Sequence, residues 1–269
     1  MLRTDDLFAS WDEFNGLLAG CDGAPWQALD RLGQYLEERL SAPTGTPLPT
    51  GLILQPLVLV DGVALGNVRF VDSDGAVVLA TGESVRGATV VMPGAFLEGA
   101  DIRLGEGVRI ESGAFVRAPT VLGDGTQVRH GAYIRGYCLT GARCIIGHAT
   151  EVKNAIFFSG AQAAHFAYVG DSILGRDVNL GAGTRLANLR VKPGNVTLRD
   201  GDRRVATGRR KLGAILGDRV QTGCNAVLSP GVVLGRDSIV LPCVAVAAAV
   251  YPPGTMLTVT TNLTPPAKP

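Results

Sequence analysis

The 269-residue chain is long enough for one large domain or two small ones, and its formal charge of +1 is close to balance. That balance argues against a nucleic-acid surface and against a solvating acidic tail. The 36 glycines and 6% aromatic content suit a fold of tight turns with small side chains stacked closely. The five cysteines (Cys21, Cys138, Cys144, Cys224, Cys243) form no CxxC pair and no Cys/His cluster at zinc spacing, so reduced thiols in a cytoplasmic protein are expected. The opening MLRTDDLFASWDE carries acidic residues where a signal peptide needs an apolar run, and no segment has the length of apolar sequence needed to span a membrane.

Residues 5–20 predict a short helix ending at Gly20, followed by an Asp22-Gly23 turn. Pro25 opens a second helix, where its missing N–H is not needed, and Trp26, Leu29, Leu32, Leu36 and Leu40 fall on one face of it. The stretch SAPTGTPLPT (41–50) reads as a linker. From Leu52 to Val91 short apolar runs predict strands, with DSDG at 72–75 as a turn.

A six-residue period then takes over. Leu104, Ile110, Val116, Leu122, Val128 and Ile134 recur without a miss. The frame resumes at Ile146 and Val152, at Leu174, Leu180 and Leu186, and from Leu216 through Thr222, Leu228, Leu234, Val240 and Val246. Six is neither a helical nor a strand period; a β-roll and coincidence in a Gly-rich chain are the competing readings, and six consecutive hits followed by a resumed frame make coincidence a poor explanation. The period matches a hexapeptide β-helix: each unit is a short strand and a corner, three units close a triangular coil, and coils stack about 4.8 Å apart. The expected fold is mainly β, a parallel β-helix over 51–255, with residues 1–50 as helical cap and linker and 256–269 as a loose Pro-rich tail. The N-terminal helices are expected to cap the open end of the coil stack, which would otherwise expose strand edges.

Two interruptions are expected. Ile156–Tyr168 reads as a loop carrying His165. Residues 189–213 (LRVKPGNVTLRDGDRRVATGRRKLG) read as a β-hairpin arm rich in Arg and Lys, either a local anion site, a protein contact or a solvated hairpin. His165 has no metal-ligand partner at short spacing, and a neutral imidazole makes a good general base. Glu151 stands nearly one coil earlier and could orient it.

The motifs EVKN (151–154), AHFAYVGDSILG (164–175), VNLGAG (178–183) and AN (187–188) resemble the acetyltransferase domain of the bifunctional glucosamine-1-phosphate acetyltransferase/N-acetylglucosamine-1-phosphate uridyltransferase (GlmU-type) family. The basic arm and GRRKLGAILGD (208–218) are similar to archaeal sugar-1-phosphate enzymes with both activities. The resemblance is specific from about Arg135 to Gly235 and does not reach residues 1–50. Resemblance to hexapeptide proteins implies left-handed winding. The family resemblance implies acetyl transfer from acetyl-CoA to an amino-sugar 1-phosphate such as glucosamine-1-phosphate, in a homotrimer with active sites between subunits and with no metal. It further implies that His165 takes a proton from the sugar amine, and that Arg135 and Lys153 hold the sugar phosphate. Tyr168, Asn179 and Asn188 would position the substrates, with the Ala182 N–H at the oxyanion and Cys224 near the coenzyme. The family's short NYDG loop is replaced by the arm, so the next substrate lysine is Lys192 or Lys211; Pro242 stands near where a small coenzyme-contacting residue is usual. Nothing in residues 1–90 resembles the uridyltransferase's Gly-rich nucleotide loop, so that activity is expected to be absent. The alternatives are a non-catalytic sugar-phosphate-binding scaffold, an acyltransferase for a nucleotide-linked amino sugar, or a hexapeptide carbonic anhydrase. The last would need zinc on three histidines, and only His130 and His148 are spaced to stack.

Overall fold

The structure is a computed structural model and describes residues 4–10, 12–14, 16–21, 24–42, 45–66, 68–71 and 77–259. The expected turns at Asp22-Gly23 and 72–75, and the tail beyond residue 259, lie outside the described residues. From Thr89–Val91 to Met256–Leu257 the chain winds as a parallel β-helix. A 15-stranded sheet covers its first and second faces and an 11-stranded sheet forms the third. The last strand, Met256–Leu257, thus falls in the segment assigned to the tail.

The six-residue frame is the inward column of this prism. Ile110, Val116, Leu122, Val128 and Ile134 are all buried in one continuous core, as are Ile146, Val152, Leu180, Leu186, Leu216, Leu228, Leu234, Val240 and Val246. The frame does not lapse after Ile134, because buried Thr140 takes the position with a polar side chain, as Thr222 does later. Ladder bonds fix the stacking: Tyr133 pairs with Glu151, Glu151 with Tyr168, and Tyr168 with Arg185.

The expected loop at Ile156–Tyr168 is absent. That stretch continues as the strands Glu151–Phe157, Gln162–His165 and the start of Tyr168–Leu174, all in the ladders. What changes is coil length. The corner between the first and second faces holds Gly136 and Tyr137, both with positive φ, in one coil. In the next two coils a single left-handed residue turns it, Asn154 (φ 47°) and then Asp171 (φ 47°). Asn and Asp tolerate that region because their short side chains bond locally. The inward frame therefore steps from Val152 to Phe157, then Ala163, Val169 and Leu174, one residue short at each such corner. Read strictly by sixes, this slip looks like a break.

The N-terminal segment also differs from expectation. The described residues of 5–20 form no α-helix; they make two short 3-10 turns, Thr4–Asp6 and Asp12–Phe14. Their backbone groups are spent on the coils instead. The Leu7 carbonyl accepts from the Asp218 N–H, the Asp6 carbonyl from the Arg236 N–H, and the Ala9 N–H donates to the Asp218 carboxylate. The α-helix Ala28–Ser41 buries Leu29, Leu32 and Leu36. Neither piece caps the end of the stack. They lie along the second face, whose outward side chains Val121, Leu139, Ile156, Phe158, Ile173, Ile215 and Val233 are apolar and join Leu7, Phe8, Phe14, Leu17, Trp26 and Leu32 in a second core. A β-helix face that turns aliphatic residues outward has to be covered. The stack's first edge is closed by antiparallel strands: Gly51–Leu52 on Phe96–Glu98 and Leu57–Val60 on Thr89–Val91.

The arm leaves after Asn188 as the antiparallel pair Thr197–Asp200 and Arg203–Ala206, and returns at Gly213. Its apolar residues Val196, Leu198 and Leu212 are buried in the same second core, so arm and helix are packed together on one flank.

Phe158 is the centre of that flank, stacked on Phe8 at 5.1 Å and edge-on to Phe14 at 5.0 Å. Replacing Phe158 by Ala should lower unfolding stability by roughly 3–5 kcal/mol, read from denaturant unfolding. An unchanged midpoint would show that the N-terminal segment contributes little to the fold.

Candidate active site

Two columns of residues, meeting at one edge of the prism, carry Arg135, Glu151, Lys153, His165, Tyr168, Ala182 and Cys224 of the predicted set. The first runs up the corner between the third and first faces. His148 and His165 are ladder partners, so His165 ends a strand and is not borne on a loop. Gln162 pairs with Asn179 and Ala163 with Leu180, which carries Ala182 to the level above His165. Leu180 pairs with Thr222, which carries Cys224 to the level above Ala182. Backbone bonds tie the column: the Gly183 N–H donates to the His165 carbonyl at 3.0 Å, and the Asn225 N–H to the Ala182 carbonyl at 2.8 Å. Gly183 sits at φ 79°, where a side chain would be strained, and its turn leaves the Ala182 N–H without a protein acceptor among the described residues. The His165 ring is exposed and has no hydrogen-bond partner among them. Cys224 is an exposed free thiol.

The second column is the outward side of the first face. Arg135 and Lys153 stand at adjacent levels, and Lys153 is the ladder partner of Gly170. Arg135 donates to the Glu151 carboxylate at 2.6 Å. Glu151 is thus committed to Arg135, and no hydrogen bond joins it to His165, contrary to expectation. Tyr168 lies directly above Glu151. Its hydroxyl reaches over Gly170 to Asn188: a methyl group on Gly170 would meet the Asn188 Nδ2 at 2.6 Å and the Tyr168 hydroxyl at 2.7 Å. Gly170 is required for space rather than for its backbone angles.

Asn179 is exposed on the third face, between Gln162 and Gln221, away from the Tyr168 side of the corner. Lys211 is exposed where the arm rejoins the coil, bridged through its backbone to Leu189. Among the described residues, no hydrogen bond or ion pair joins either side chain to another of the predicted set. His130, His148 and His165 occupy one corner a coil apart; the His130 and His148 rings stack at 5.6 Å, each Nδ1 bonded to a carbonyl of the coil below. No group of three His, Cys, Asp or Glu among the described residues, these histidines included, is disposed to hold a metal ion.

Sequence reasoning missed Asn154 and Asp171, which form a third column with the predicted Asn188 at the corner between the first and second faces, Asn154 Nδ2 donating to Asp171 at 2.8 Å and Asn188 Nδ2 at 2.6 Å. Their spacing of 17 was the available signal.

A family model, the GMPPB C-terminal domain, matches residues 118–253, half of the chain. The chain belongs to the GMPPB C-terminal domain family. The match takes in every residue of the two columns, from Arg135 to Cys224. A bifunctional sugar-1-phosphate nucleotidylyltransferase/acetyltransferase of Sulfurisphaera tokodaii is 43% identical over 97 residues, 36% of this chain and 24% of that protein. The bifunctional protein GlmU of Methanococcus vannielii is 42% identical over 95 residues, 35% of this chain and 23% of that protein. The chain thus matches about a quarter of the length of these relatives. Among solved structures, an Arabidopsis UDP-N-acetylglucosamine acyltransferase is 14% identical with a TM-score of 0.36, covering 60% of this chain and 66% of that one. A perosamine N-acetyltransferase variant from Caulobacter crescentus, in complex with CoA and GDP-perosamine, is 21% identical with a TM-score of 0.26, covering 60% and 49%. No helix among the described residues is long and apolar enough to cross a membrane.

The Tyr168 phenol is pushed above its ordinary value, first by burial and then by the nearby Glu151 and Asp171 carboxylates. All three disfavour a phenolate, so Tyr168 stays a neutral donor and acceptor through the physiological range. Ultraviolet titration of the protein against a Tyr168→Phe variant should give a difference phenol ionising above about pH 10, the ordinary value for tyrosine; one ionising below that would refute this environment.

Proposed function

We propose that the chain is an acetyl-CoA-dependent N-acetyltransferase whose acceptor is an amino-sugar 1-phosphate such as glucosamine-1-phosphate. The observation that carries this reading is the adjacency of the two columns. An unpartnered imidazole and an unpartnered backbone N–H stand one coil apart at the corner, beside a face bearing Arg135, Lys153 and Tyr168 closed off by Asn188. The similarity to a bifunctional sugar-1-phosphate nucleotidylyltransferase/acetyltransferase supports it.

In this reading Arg135 and Lys153 bind the sugar phosphate, Arg135 held in place by Glu151. Tyr168 and Asn188 position the sugar ring, and Lys211 or Lys192 reaches the phosphate from the arm. Asn179 approaches from the third face. Acetyl-CoA runs along the corner past Ala182 and Cys224. As the sugar amine attacks the thioester carbonyl, His165 accepts its proton. The Ala182 N–H bonds the developing oxyanion, a contribution of about 3 kcal/mol in comparable sites. When the C–S bond breaks, His165 returns the proton to the leaving sulfur, giving the N-acetyl sugar and free CoA thiol. The exposed edge of the columns is completed by the neighbouring subunit of a homotrimer, and the enzyme works as a soluble cytoplasmic protein.

Thiol release from acetyl-CoA, with glucosamine-1-phosphate and galactosamine-1-phosphate as acceptors, tests this. His165→Ala should lower kcat by about 10²-fold or more with little change in either KM. Turnover unaffected by that change would remove His165 from the chemistry; a protein that binds acetyl-CoA and acetylates neither sugar would have another acceptor, and one that does not bind acetyl-CoA would be a sugar-phosphate-binding scaffold. Gly170→Ala should raise KM for the sugar and leave KM for acetyl-CoA unchanged, because the nearest atoms the added methyl displaces belong to Asn188 and Tyr168.

A further inference from the structure

Asp171 is a buried carboxylate that none of the steps above uses. It sits at the single-residue corner between the first and second faces, one level above Asn154 and one below Asn188. One carboxylate oxygen accepts from Asn154 Nδ2 at 2.8 Å and the other from Asn188 Nδ2 at 2.6 Å. A carboxylate offers acceptors only, so both amides turn their nitrogen toward it and their oxygen away. The orientation of the Asn188 amide, which interacts with the Tyr168 hydroxyl, is thereby set from below.

A third group closes on Asp171 from the arm. Arg209 lies 3.7 Å from its Oδ1, is itself largely buried, and pairs as well with Asp30 of the helix Ala28–Ser41. Its Nε donates to the Lys211 carbonyl at 3.1 Å. The arm is sewn to the same corner by its backbone: the Leu212 N–H donates to the Asn188 carbonyl at 3.0 Å and the Gly213 N–H to the Asp171 carbonyl at 2.9 Å. Arg209 therefore joins the helix, the arm and the corner in one network that ends on Asn188 and Tyr168.

We propose that Asp171 is a positioning residue for the sugar site, fixing the Asn188 amide against Tyr168, and that Arg209 makes the arm and the N-terminal helix part of that support. The inference rests on the sugar-phosphate reading above for its functional consequence; the geometry of Asn188 stands apart from it. It assigns the arm and the flanking helix a role in the site's shape rather than in stability alone.

Three variants of the full chain test it: Asp171→Asn, Arg209→Gln and Asn154→Gly. The last removes an equivalent hydrogen bond to the same carboxylate without touching Asn188, and glycine accepts the corner's positive φ. Asp171→Asn should raise KM for glucosamine-1-phosphate about tenfold or more, as expected for loss of a hydrogen bond to a charged group, with KM for acetyl-CoA changed less than about twofold. Arg209→Gln should move the same parameter in the same direction by a smaller factor. Asn154→Gly should lower the melting temperature and leave both KM values in place. A sugar KM unchanged in Asp171→Asn, or raised equally in Asn154→Gly, would overturn the proposal and leave Asp171 a corner brace. Should the wild type acetylate neither sugar, the functional reading has failed, and crystal structures decide this inference. In Asp171→Asn the Asn188 side chain should rotate away from Tyr168, and an Asn188 left in place would refute it.

Discussion

The coil-to-coil hydrogen-bond register governs this protein. Each outward residue sits beside the residue one coil earlier, so side chains 17 or 18 positions apart become neighbours. Sites on such a scaffold are columns. Tyr168 stands over Glu151, Gly170 over Lys153, and Ala182 over His165, because the backbone bonds allow no other alignment while the aliphatic frame points inward. A slip of one residue would turn Val152 and Val169 out of the core and the site residues into it.

The shortened coils give the site its character. With one residue fewer at the corners of Asn154 and Asp171, the chain turns on a left-handed polar residue whose side chain can bond to the coils above and below. At the following level the chain leaves the prism to form the arm and comes back at Gly213, against the same corner. The arm buries Val196, Leu198 and Leu212 with the N-terminal helix over a flank of outward aliphatic residues. Scaffold, flank and site thus meet at one corner, while Arg199, Arg203, Arg204 and Arg210 of the arm stay exposed.

Much of this was legible in the sequence. The six-residue frame named most of the inward residues from Ile110 to Val246, leaving out Thr140, Phe157, Ala163 and Val169, and located the arm between Asn188 and Gly213. The family motifs named the members of both columns. Three features escaped for physical reasons. Thr140 hid the frame because a polar side chain occupied an inward place. The one-residue slips at Phe157 and Leu174 looked like a loop, since a strict period cannot accommodate a five-residue step. The flank packing of Leu7, Phe8 and Leu32 was invisible because it depends on which coil residues face outward, and that is decided by the corners rather than by the frame. Asp171 and Arg209 leave no local pattern, because the partners of Asp171 stand 17 residues away on adjacent coils and Arg209 reaches it only from the arm.

We propose that the corner column and the first face form one acetyl-transfer site, and a crystal structure with CoA and glucosamine-1-phosphate both present is the decisive experiment. The CoA sulfur should lie beside the Ala182 N–H and the His165 ring, with the sugar phosphate between Arg135 and Lys153 and the sugar amine toward His165. Ligands bound at another surface, or neither ligand bound at saturating concentration, would contradict it.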